Sequence, residues 1–242
     1  MRWSWYPRWG SLLAILFISS LVSIGFFVAE AINDHTMVNS FLITNLILAW
    51  IPLIIAYYLL RILPAYPWLN WRPMILTVLW LGLLPNSFYL VSDLIHLSLV
   101  NPNNILYDSV MFQTFIFNGL VLGYLSVYLI HRQLQRRISR KWTNILLGLA
   151  FFMCSYAIFL GREMRLSSWD FVTNPASILF GMSSPFTNIS GHLQAYTVTL
   201  MFFILIGLMY VVVFSLLQIL TRPRMQAPGL KPAHSPVDRV HR

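Results

Sequence analysis

The chain has 242 residues, 58% of them hydrophobic and only 10% charged, with a mean hydropathy of +0.70. Soluble domains carry about 25% charged residues, so this composition excludes a water-facing surface and implies a membrane protein. The net charge of +9 gathers in loops and a tail, which assigns it to membrane orientation rather than nucleic acid, and the single Cys154 excludes an intrachain disulfide.

A helix needs about 20 apolar residues to cross a bilayer. Uncharged stretches of that kind run over 9–29, 35–60, 73–92, 109–131 and 142–161. The uncharged stretch 171–221 is too long for one helix, and Asn174-Pro175, Gly181, Ser183-Ser184-Pro185 and Asn188 punctuate its first part. Those residues predict a loop or interfacial segment up to Gly191 and a sixth helix over 193–220. The first stretch follows Arg2 and Arg8 as a secretory signal would, but its apolar run exceeds the usual 7–15 residues, so a retained helix is expected. The expected fold is all-α, with six transmembrane helices forming one domain over 1–220. The basic, Pro-rich tail 221–242 is expected to be disordered.

Lys and Arg set the orientation. With the N-terminus in the cytoplasm, Arg2, Arg8, Arg61, Arg72, the cluster Arg132, Arg136, Arg137, Arg140 and Lys141, and all basic residues of the tail fall inside. Only Arg162 and Arg165, of sixteen basic residues, then fall outside. Glu30, Asp34, Asp93, Asp108, Glu163 and Asp170 gather on that outer side. Both termini are therefore expected in the cytoplasm of a multi-pass membrane protein. The cytoplasmic run 131–141 is expected to touch anionic lipid head groups. Gly119 and Gly123 form a small-xxx-small pair that admits a close helix, and Pro52 should bend the second helix.

The third segment carries the most information. From Pro73 to Val100 it covers 28 residues, about 42 Å as unbroken helix against a hydrocarbon core of about 30 Å. Pro85 lacks an N–H, so a kink or break is expected at Pro85-Asn86. Asn86, Tyr89, Asp93 and His96 follow at spacings of 3, 4 and 3, which places them on one helical face. At the same outer depth lie Tyr107 and Asp108 on the fourth helix, Arg162, Arg165, Trp169 and Asp170 at and beyond the end of the fifth, and His192 before the sixth. Ionisable residues at that depth turn inward or pair. The group therefore forms a candidate pocket, or else a set of ties in which Asp93 and Asp108 neutralise Arg162 and Arg165.

Three chemistries fit these residue types. Asp93, His96 and Asp108 offer general acid–base groups beside arginines that grip an anion, with Asn86, Tyr89, Trp169 and Asp170 completing the binding surface. The arginines alone suffice for non-catalytic recognition of an anionic head group. Asp93, His96, Asp108 and His192 also form a minority metal set for zinc or manganese. No cofactor is indicated, and no nucleophile elbow, zinc-protease helix or phosphate loop occurs.

The run Leu84-Pro85-Asn86-Ser87-Phe88-Tyr89-Leu90-Val91-Ser92-Asp93-Leu94-Ile95-His96-Leu97, together with Tyr107-Asp108 and the run from Leu160 through Arg162, Arg165 and Trp169 to Asp170, resembles the bacterial integral-membrane family called domain of unknown function 1361. The family pattern prefers Ala-Pro at Ser87-Phe88, Thr at Ser92 and Asn at Ser167. These departures spare the ionisable positions. The resemblance implies most of the six-helix region and no reaction. The expected function is to bind or process an anionic, lipid-linked substrate at the outer face. The alternatives are a non-enzymatic scaffold or assembly factor and a small transporter or channel.

Overall fold

The computed structural model describes residues 6–99, 104–163 and 193–221. It is helical throughout these residues, without a strand. Helix α1 spans Tyr6–Asp34, and a short 3-10 turn over Val38–Ser40 leads into α2, Phe41–Ile62. Helix α3, Trp71–Tyr89, continues as a 3-10 helix over Leu90–Leu99. Helices α4, Ile105–Leu134, α5, Arg140–Glu163, and α6, Leu193–Thr221, complete the bundle. Six helices are long and apolar enough to cross a membrane, as the apolar runs predict. The expected loop over 171–191 and the tail beyond Thr221 lie outside the described residues.

The helices run past the charges that bound each apolar stretch, because a charge limits depth in lipid without breaking helical hydrogen bonds. Helix α4 is the centre: 61% of its spanning window is buried, against 17% for α6 at the edge. Around α4 stand α1, α2 and α3, while α5 packs between α3 and α6. The outward faces are apolar, with Ile15, Phe17, Val78, Phe117 and Leu208 all more than half exposed, which suits contact with acyl chains.

Local chemistry explains two of the boundaries. Asn70 caps α3, its side chain accepting the Arg72 backbone N–H at 3.2 Å, and the Trp68 indole donates to Thr77 Oγ1 at 2.9 Å to hold the α2–α3 connection against the helix start. His35 ends α1 in the left-handed region at φ 52°, where a helix usually places Gly or Asn.

Pro85 does not end the third helix. The α-helix carries Pro85 within it and runs to Tyr89, and the change of backbone comes at Leu90, where α gives way to 3-10 geometry. Small residues seat this segment on α4, as the Gly119–Gly123 spacing predicts. A Cβ on Gly119 would lie 2.6 Å from the Ser87 carbonyl oxygen, and one on Gly123 would lie 2.9 Å from the Phe88 ring. On the other side Ser87 Oγ donates to the Ala49 carbonyl of α2 at 3.0 Å. Ser87 and Phe88 are thus fully buried between α2 and α4.

Candidate functional site

The 3-10 segment determines how the site is assembled. With three residues per turn, residues three apart eclipse, so Asp93 and His96 stack on one edge and Ser92 sits beside them. The α5 guanidinium reaches across to that edge. Arg162 Nη2 donates to Asp93 Oδ1 at 2.6 Å and to Ser92 Oγ at 2.7 Å. Its Nη1 lies 2.9 Å from His96 Nε2. An arginine can only donate, so His96 Nε2 accepts and the imidazole proton sits on Nδ1. The Tyr89 ring lies under the cation, its centroid 4.8 Å from Cζ, and Phe41 packs on the imidazole at 4.7 Å between centroids.

Asp93 is 1% exposed and Arg162 18% exposed by side chain. A carboxylate so placed is stable only if its oxygens are occupied. Arg162 takes Oδ1, and Asn45 of α2 donates to Oδ2 at 2.8 Å. The ion pair thereby joins three elements, α2, the 3-10 segment and α5. One donor is left over: Arg162 Nε is buried and meets no acceptor among the described residues.

The structure brings together Tyr89, Asp93, His96 and Arg162 from the residues singled out in the sequence. Asn86 lies half-buried one turn before Tyr89. Asp108 belongs elsewhere. It is fully buried on α4 and faces Glu30 of α1, and neither of its oxygens meets an N–H or O–H donor among the described residues. Around it, Asn39 donates to Glu30 Oε1 at 2.6 Å, Asn104 donates to both Asp34 oxygens at 3.0 and 2.9 Å, and the Tyr107 hydroxyl donates to the Phe26 carbonyl at 2.7 Å. Asp93, His96 and Asp108 therefore do not come together as metal ligands, and no three His, Cys, Asp or Glu side chains do so among the described residues. Arg165, Trp169, Asp170 and His192 lie outside those residues.

Sequence reasoning passed over Asn45 and Ser92. Asn45 is the one amide within the apolar α2 run, and an amide inside a span needs a partner; that was the signal available.

A six-helix bundle with apolar flanks and a buried carboxylate–guanidinium pair at its acidic end defines a polytopic membrane protein with an ionic centre at one face. Residues 44–213 match the model of the family described as Protein of unknown function (DUF1361), and the chain belongs to that family. The match takes in the whole 3-10 segment and Arg162, and leaves out α1 and the basic tail. No curated protein and no solved structure matches the chain.

Proposed function

We propose that this is a multi-pass protein of the bacterial inner membrane, both termini cytoplasmic, that uses the Arg162 centre to bind or process an anionic, lipid-linked substrate at the outer leaflet. The observation that carries the reading is the buried Arg162 Nε, which meets no acceptor among the described residues on a guanidinium held by Asp93, Ser92 and His96. An arginine serving only as a tie has no need of a spare buried donor, whereas Arg forks suit phosphate and carboxylate oxygens. An incoming anion competes with Asp93 and His96 for the same cation. When Arg162 turns to it, His96 Nε2 regains its lone pair and can take a proton, while Asn45 still holds Asp93. Asp108 keeps a supporting place on α4, and Asn86, Arg165, Trp169 and Asp170 extend the same proposal.

A second reading has its own support. Both Asp93 oxygens are taken, which is what a permanent three-element tie in a non-enzymatic scaffold requires.

Thermal unfolding of the purified protein with farnesyl phosphate, a short lipid-linked phosphate, separates the two. The substrate reading expects a saturable rise in Tm that Arg72→Gln, at an exposed position outside both sites, keeps and Arg162→Lys loses, since Lys offers only a point charge. No rise in the wild type, or an equal rise in Arg162→Lys, would overturn it in favour of the tie.

A further inference from the structure

At the opposite end of the bundle a cleft of about 540 Å³ opens between α4, α5 and α6. It shares no residue with the Arg162 centre, although both draw on α5. Its lining divides by chemistry. Toward the helix ends that flank the basic run lie Gln135, Arg140, Asn144 and Gln218, and deeper lie Phe151, Phe203, Tyr210 and Phe214. From Gln218 to Phe203 the cleft follows α6 for fifteen residues, about 22 Å, enough to pass the interface and one leaflet of a core about 30 Å thick.

The interior is open because two glycines face it. Gly148 of α5 and Gly207 of α6 both line the cleft, and a Cβ built on either meets nothing within 4 Å. This is the reverse of Gly119, whose hydrogen is all that fits. The floor is also rigid. His131 Nδ1 lies 2.7 Å from the Tyr210 hydroxyl, His131 Nε2 lies 2.9 Å from Gln135 Nε2, and the imidazole stacks on Phe214 at 4.3 Å. The Tyr124 hydroxyl donates to the Ile206 carbonyl at 3.1 Å and fixes α6 to α4 behind the cleft.

We infer that this cleft is a binding site for an anionic glycerophospholipid of the leaflet at the basic end, with one acyl chain along the aromatic floor and the phosphate at Arg140. A laterally open, apolar cleft in a bilayer is filled by chain rather than water. Arg140 stands at the mouth, close in the chain to Arg132 at the end of α4 and to Arg136 and Lys141, so charge complementarity selects an anionic head group over a zwitterionic one.

Native mass spectrometry of the full chain in detergent, with equimolar phosphatidylglycerol and phosphatidylcholine of identical chains, tests the inference. The wild type should retain phosphatidylglycerol preferentially. Arg140→Gln, at an exposed position that cannot unfold the bundle, should lower that preference about fivefold, the factor for one basic residue at an anionic surface. Gly207→Leu and Gly148→Leu should each lose the retained lipid while eluting as folded protein, because the added side chain fills vacant space. Equal retention of the two lipids by the wild type would overturn the inference. So would wild-type retention of phosphatidylglycerol in both leucine variants, or an unchanged preference in Arg140→Gln.

Discussion

Removing either member of the Asp93–Arg162 pair should cost far more than removing both. In Arg162→Met, Asp93 stays 1% exposed with Asn45 as its only donor, an almost bare charge worth about 3–5 kcal/mol of destabilisation. In Asp93→Leu, Arg162 keeps Ser92 and His96 and is 18% exposed, so part of its charge reaches a polar boundary and the cost falls to about 3 kcal/mol. The double variant buries no charge. It leaves Asn45 and His96 short of a partner, at about 1–2 kcal/mol in total. The coupling between the two changes is then about 4–7 kcal/mol, above the 0.5–3 kcal/mol usual for contacting residues. Steric-trapping measurements of unfolding free energy in bicelles would yield all four corners of the cycle. Additivity within about 0.5 kcal/mol would refute the reasoning, since it would mean that the pair is solvated and carries no burden of desolvation.

The acidic residues near α1 should behave in the opposite sense. Asp108→Asn places an amide donor opposite Glu30, where two carboxyl groups now face each other, and should raise stability by about 1 kcal/mol in the same assay; a loss would show that the facing carboxyls are already paired through a proton. Gly119→Ala drives a Cβ to 2.6 Å from the Ser87 carbonyl oxygen, a backbone atom that cannot turn aside, and should cost about 1–3 kcal/mol or more. Gly148→Ala meets nothing within 4 Å and should be neutral or stabilising by up to about 1 kcal/mol, so equal Tm values for the two alanine variants would contradict the packing described at Ser87.

The spans were legible because lipid demands about 20 apolar residues, and that demand is written along the chain. The pairing of Asp93 with Arg162 was legible for a related reason: opposite charges at one unfavoured depth have few alternatives. Asp108 shows where such reasoning stops. Rise per residue gives its depth, which matches that of Asp93, but not which neighbour its face of α4 meets. That azimuth is set by packing, here by Gly119 and Gly123 drawing the third segment onto one side of α4 while Glu30 of α1 meets Asp108. Asn45 was missed because a single amide scarcely alters the hydropathy of its run. Pro85 does not break the helix, since a proline removes one hydrogen bond of the ladder and the helix can still continue to Tyr89.

The 3-10 backbone under the ionic centre also constrains which changes this chain can accept. In an α-helix, one inserted residue between Asp93 and His96 would leave the second side chain only about 40° round from the first. On a three-residue turn the same insertion swings it by about 120°, away from Arg162 altogether. Leu94 and Ile95 between them face outward, 39% and 60% exposed, so their identity is open within the apolar class while their number is not. The segment therefore acts as a ruler: it tolerates changes of residue and forbids changes of length.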